Sequence, residues 1–229
     1  MTKQRARSEV REVSTPKGQR LKRPGPIGGV RDLNRQKKAQ AIRHAALLLF
    51  LERGIEAVSV DDIMKSARMA KGSFYRYFAD QRSLVDDIIS PIRELVTRAL
   101  EQCDHELETA STKEAMIKAY SRIGDVLATL IMEFPGPVRL YLQESRAPAQ
   151  GARRPIRDLS ATVSRFAISM THTAQKHGIL KPIPVAVSAL TVVGAAERLL
   201  LAVLQEEDIG NVLEVPAALM TLILDGLKA

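Results

Sequence analysis

Eight consecutive residues, Lys71-Gly72-Ser73-Phe74-Tyr75-Arg76-Tyr77-Phe78, bring cations, hydroxyls and planar donors together with two phenylalanines four apart. On a helix of 3.6 residues per turn, side chains four apart lie on one face. Phe74 and Phe78 are therefore predicted to pack inward, against Ile63, Leu49 and Phe50. Lys71, Ser73, Tyr75, Arg76 and Tyr77 are predicted to stay outside, where they could meet a polyanion. Arg76 is the strongest candidate for reading a base, because a guanidinium can bind guanine in bidentate fashion. Gly72 lacks a side chain, so a sugar-phosphate backbone could approach it closely.

Such a face needs a brace. Ser59 is predicted to cap a short helix through Ser66, with Asp61 and Asp62 in its first turn, where the helix dipole favours negative charge. Val60, Ile63, Met64 and Ala67 form its inner side. A turn at Arg68-Met69-Ala70 then leads into a second helix over 70–78. Helix, short turn, helix is the geometry that sets a recognition element in a major groove. Ahead of it, Ala39, Ile42, Ala46, Leu49 and Phe50 recur at three- and four-residue steps, and Gly54 supplies a stop. Behind it, Asp80 opens a longer helix with Leu84, Val85, Ile88 and Ile89 inward, and Pro91 is expected to bend it or end it.

Charge supports a polyanionic partner. The whole chain carries +8, and residues 1–38 hold twelve Lys and Arg against Glu9, Glu12 and Asp32. The basic character is thus concentrated beside the motif, and nucleic acid or an anionic membrane surface would be attracted to it. Residues 1–34 also mix Ser, Gly and Pro, including Pro24-Gly25-Pro26, and are expected to be a disordered basic arm. Such an arm can lie in a minor groove; the alternative is a solvated extension.

Other chemistry finds little material. His44, His105, His172 and His177 form no cluster with ligand spacing, and Cys103 is the single cysteine. No nucleophile-base pair or glycine-rich phosphate loop stands out, so neither a metal, a cofactor nor catalysis is expected. The longest apolar run, 183–196, falls short of the roughly 18 residues of a membrane span. The N-terminus lacks the apolar stretch of a secretory signal, and a cytoplasmic protein is expected.

Beyond Pro91 the pattern is helix after helix, an all-α chain. Ser111-x-x-Glu114 is a capping-box signature for a helix to Phe134, which Pro135-Gly136-Pro137 is expected to end. A short helix over Val138–Ser145, a loop over 147–155, a long helix to Lys176, an apolar helix to Gln205 and a last one over 212–228 follow. Tyr120, Tyr141, Phe166 and Met170 are candidates to line a ligand cavity, with Met132 and Arg139 as further ones. The last two helices are apolar around most of their girth and need cover on several sides. Ala195, Leu199, Val203, Leu219 and Ile223 are candidates for a homodimer interface.

The segments Ala45–Gly54, Ser59–Ile63 and Lys71–Phe78 resemble the TetR family of bacterial one-component regulators. The resemblance covers about residues 35–85. It implies an all-α fold of about nine helices: a three-helix DNA-binding head over 35–80 and a regulatory and dimerisation domain over 81–229. It further implies a homodimer on a pseudo-palindromic DNA operator, and a small-molecule effector in the middle helices that releases the DNA. Lys71, Gly72, Tyr75 and Tyr77 match positions that commonly touch phosphates or bases in that family, and Ser59 a phosphate contact. Ser73 and Arg76 sit where base contacts vary. Two features depart from the pattern. The turn has Arg68-Met69-Ala70 in place of Gly-Val-Ser, Gln81 stands where lysine is frequent, and Arg82 is the nearest substitute. They leave open an alternative, a helical ligand-binding or scaffolding protein with a degenerate DNA-binding head.

Overall fold

The computed structural model describes residues 29–110, 112–211 and 214–226. Among them are eight α-helices and two short 3₁₀ segments, and no strand: α1 (Val30–Arg53), α2 (Val60–Ser66), the 3₁₀ segment Lys71–Arg76, α3 (Gln81–Thr109), α4 (Lys113–Glu133), α5 (Pro135–Glu144), the 3₁₀ segment Gly151–Arg153, α6 (Arg154–Lys176), α7 (Val185–Leu204) and α8 (Val215–Gly226). Counting the segment after α2 as a helix gives the nine expected.

α1 starts earlier than composition suggests. Residues 30–34, expected to belong to a disordered arm, are already helical. Leu33 N–H closes the first turn on Gly29 O at 3.0 Å. Gln36 Nε2 donates to Asp32 Oδ2 one turn back, at 3.2 Å. Val30 and Leu33 are exposed, so local bonds and the acidic first turn hold this end rather than burial. The rest of the basic arm, residues 1–28, lies outside the described residues.

One apolar cluster joins head and body. Ile42, Phe50, Ile63, Phe74 and Phe78 pack with Leu84, Val85, Ile88 and Ile89 of α3, and the same cluster continues into Leu140, Tyr141 and Ile156. α3 is 29 residues long and continues without a break through Pro91. Proline removes the amide that would bond Asp87 O. Ser90 Oγ donates to that carbonyl at 3.0 Å and replaces the lost bond. This is why the proline neither ends the helix nor leaves a buried acceptor orphaned.

Two helix starts differ from the expectation. Thr112 caps α4, its Oγ1 accepting from Ala115 N at 3.2 Å; the expected Ser111 lies outside the described residues. Pro135-Gly136-Pro137 does not merely separate two helices, because α5 begins at Pro135. Proline suits the first turn, where its missing N–H has no partner to lose. The loop over 147–155 contains the Gly151–Arg153 turn, and α6 starts one residue before Pro155.

α7 is 20 residues long, longer than the 14-residue apolar run that overlaps it, and it passes the length and composition of a membrane span as an apolar helix of a helical protein also can. Only 17% of its most apolar window is buried. Ser188, Ala189, Leu200 and Ala202 are its buried residues.

Candidate nucleic-acid interface and ligand cavity

The head is built from α1, α2 and the segment Lys71–Arg76. Ser59 starts α2 through a reciprocal box. Its Oγ accepts from Asp62 N at 3.2 Å, while Ser59 N and Oγ both donate to Asp62 Oδ2, at 2.9 and 2.5 Å. Those bonds hold the Asp62 carboxyl below its ordinary value. Ser59 is exposed, yet its hydroxyl proton is already committed to the cap. Asp61 is held low by Lys65, 2.8 Å away, and Lys71 Nζ also lies 3.9 Å from its carboxylate.

The turn takes its hand from Arg68, whose φ is +54°. This is the left-handed conformation that a glycine at this position would adopt without strain. Met69 N–H then returns to Met64 O at 2.9 Å and turns the chain toward the recognition segment.

That segment is shorter and tighter than the nine-residue helix predicted over 70–78. It is a 3₁₀ turn of six residues, extended by Phe78 N–H to Phe74 O at 3.1 Å. Phe74 is fully buried and Phe78 nearly so, their ring centres 5.8 Å apart, as the spacing predicts. Lys71, Gly72, Tyr75 and Arg76 are exposed. A Cβ added at Gly72 would meet nothing within 4 Å, so the space above it is open. Tyr75 is 65% exposed, with its ring edge-on to Phe74. Tyr77 is half-buried against the core.

Ser73 does not face outward as predicted. It is buried, and its Oγ donates to Ala70 O at 2.7 Å. In a 3₁₀ turn, residues three apart eclipse, which brings the hydroxyl under the Ala70 carbonyl. Ala70 itself offers no side-chain cap.

Gln81 turns out to have work inside the protein. Its Nε2 donates to Ile55 O and Val58 O, both at 3.0 Å, and ties the α1–α2 connection to the start of α3. A lysine would meet those carbonyls with a single ammonium in place of a planar amide. Arg82, the next residue, is exposed. The exposed Arg31, expected in the disordered arm, is helical, and it stands with the exposed Arg35, Lys37 and Lys38 on the first half of α1.

A second contact joins this head to the body. Glu144, at the end of α5, is buried. Its Oε1 accepts from Ile55 N at 3.1 Å, and its Oε2 meets Arg153 Nε at 2.5 Å. Arg153 reaches on to Glu56 at 3.5 Å. Gly54, with φ +81°, passes so close that a Cβ there would sit 3.3 Å from Glu144 Oε1. Glu144 is 89 residues from Ile55 in sequence, and no local pattern announces the pairing.

Between α3, α4, α6 and α7 lies an apolar cavity of about 200 Å³. Tyr120, Tyr141 and Met170 line it, as predicted. Phe166 does not; it packs beside the second apolar cluster with Arg165 over its ring at 5.3 Å. Met132 is exposed and borders a smaller groove, and Arg139 is exposed. Tyr120 donates to Met170 O at 3.2 Å, and Tyr141 to Glu197 Oε1 at 2.8 Å. Burial pushes both phenols well above their ordinary value, and the Glu197 charge adds to the effect on Tyr141. Cys103 is buried outside the cavity, and burial with Glu106 and Asp104 nearby pushes its thiol up to about 12, which suits a core residue rather than a reactive one.

Of the residues expected at a dimer interface, Leu219 is buried and lines the cavity instead. Its helix folds back over α4, which turns that side chain inward. Leu199 and Val203 border the smaller groove, and Ala195 is half-buried. The Ile223 side chain lies outside the described residues.

The family model for bacterial regulatory proteins of the tetR family matches residues 42–88, the stretch that carries the box, the turn and the recognition segment. Over that stretch the chain is similar to the TetR family. The HTH-type transcriptional repressor KstR2 of Rhodococcus jostii is similar at 34% identity over 73 residues, 31% of this chain and 36% of that protein. The matched stretches span only 18% to 38% of the curated TetR-type relatives. The fold likeness reaches further. The MbdR regulator of Azoarcus sp. CIB is 17% identical, with a TM-score of 0.62 over 84% of this chain and all of that one. AibR, solved with isovaleryl coenzyme A and operator DNA, is 17% identical, with a TM-score of 0.59 over 82% of this chain and 98% of that one.

Proposed function

We propose that this chain is a ligand-responsive transcriptional repressor that binds a pseudo-palindromic operator as a homodimer. One observation carries the reading. Lys71, Gly72, Tyr75 and Arg76 form an uncovered surface on a segment whose underside is fixed by Phe74 and Phe78. Lys71 and Tyr75 contact phosphates, Gly72 admits the backbone, and Arg76 reads a base. Two such heads occupy successive major grooves about 34–36 Å apart. Ser59 and Arg82 sit at helix starts where phosphates pass, while buried Ser73 supports the segment from below.

The cavity supplies the control. Tyr141 lines it, and Glu144, three residues on in α5, holds the head. A ligand that moves Tyr141 shifts α5 and with it the Ile55 loop. It acts only to the extent that it binds the released conformer more tightly. The effector complex of AibR supports this use of the fold. The protein binds and does not turn over substrate, and it works in the cytoplasm.

Anisotropy with labelled duplexes from the promoter beside the chain's own coding region tests the proposal. Binding at roughly 10 nM that survives a large excess of unrelated duplex is expected. Arg76→Ala is expected to lose about 1–3 kcal/mol at one base pair only. Micromolar, sequence-blind binding would instead favour the scaffolding alternative.

A further inference from the structure

The cavity holds one charge. Among the described residues that line it, Glu197 is the sole Asp, Glu, Lys, Arg or His. The remaining polar groups are the hydroxyls of Tyr120, Tyr141 and Thr171. Two of these are committed: Tyr120 to Met170 O and Tyr141 to Glu197 Oε1. Glu197 Oε2 has a looser partner, Arg146, at 3.6 Å. The Arg146 side chain is 75% exposed and that of Glu197 only 16%, so the cation stands outside and the acid within. Arg157 acts on Tyr141 from α6 but does not line the cavity.

A carboxylate offers about four lone-pair sites, and these two partners leave part of that capacity facing the apolar space. In such a setting charge selects strongly. An entering carboxylate meets like charge with little water to screen it, whereas an ammonium or hydroxyl finds an acceptor. Size is bounded as well. A cavity of about 150 Å³ accepts benzene, so this one suits a body of about eight carbons.

We propose that the effector is an apolar molecule of about that size with one non-anionic, hydrogen-bond-donating end, an amine in its strongest form, seated on Glu197. The inference rests on the reading of this cavity as the regulatory site. It assigns that site a charge preference.

Calorimetric titration of the full chain with octylammonium, 1-octanol and octanoate, in the absence of DNA, tests it. Octylammonium should bind at least tenfold more tightly than octanoate, with octanol between. Glu197→Gln should bring the two ions within about threefold of each other. Tyr141→Phe, which keeps the acid and frees its Oε1, should preserve the preference and guards against a Glu197 variant that fails to fold. Octanoate binding the native chain as tightly as octylammonium overturns the proposal. So does a preference that survives in Glu197→Gln, or no binding of any of the three at millimolar concentration. Because no DNA is present, a negative result leaves operator binding standing, and a missing operator leaves this measurement valid.

Discussion

Arg68 shows how a single side chain can sit against its backbone. Its φ of +54° places a Cβ and its long stem where glycine rests without strain. The left-handed conformation costs an L-residue roughly 1–2 kcal/mol, and a glycine's looser unfolded chain returns part of that. Arg68→Gly is therefore expected to stabilise the protein by about 1 kcal/mol, a rise of about 2–4 °C in melting temperature. A thermal melt that falls, or does not move, shows that the arginine makes up its strain elsewhere. The sequence exposes this site because the family resemblance points to a glycine there. It exposes Phe74 and Phe78 equally well, since four-residue spacing fixes their common face. It hides Ser73 and Gln81. Ser73 turns inward because the segment winds as a 3₁₀ turn, whose three-residue repeat no hydrophobic pattern betrays in six residues. Gln81 bonds carbonyls 23 and 26 residues away, and a glutamine at a helix start gives no hint of such partners.

At the scale of elements, most helices were legible because their starts and stops are local chemistry. Ser59 and Asp80 cap where they are expected to, and Gly54 and Gly178 both take positive φ at helix ends. Pro91 and Pro135 behave otherwise because proline is judged by what its missing amide would have bonded, and that depends on Ser90 in one case and on a first turn in the other. The contact of α5 with the α1–α2 loop was invisible for a different reason: it is a tertiary ion pair. Glu144 and Arg153 have side chains only 5% and 17% exposed, so each needs the other. Glu144→Ala removes one partner, leaves a half-buried guanidinium, and deprives Ile55 N–H of its acceptor. Chemical denaturation is expected to show a loss of about 3–5 kcal/mol. Glu144→Gln keeps an acceptor for Ile55 and should lose less, while weakening the effect of any cavity ligand on operator affinity. An Ala variant as stable as the native chain, with unchanged ligand response, removes α5 from the path between cavity and head.

The whole molecule poses a question that one subunit does not answer. α7 buries little of its apolar surface. Val187 and Leu190 on it are 60% and 48% exposed, and Leu222 on α8 is 67% exposed. The proposed homodimer would cover these large apolar side chains on adjacent terminal helices. A second copy meets the need with the symmetry of a palindromic site, because a two-fold axis sets the same patch against itself and the two heads in register. Leu222 is the place to break it. The residue has little to lose inside its own subunit, so Leu222→Glu should fold normally while burying two like charges across the two-fold axis. Sedimentation equilibrium is expected to give about twice the 25.2 kDa chain mass for the native protein and a single chain for the variant. Operator affinity should fall by about 100-fold or more, because the second half-site then loses the high effective concentration that linkage supplies. A variant that stays dimeric moves the interface away from α8. One that is monomeric yet binds the full operator undiminished breaks the link between assembly and recognition.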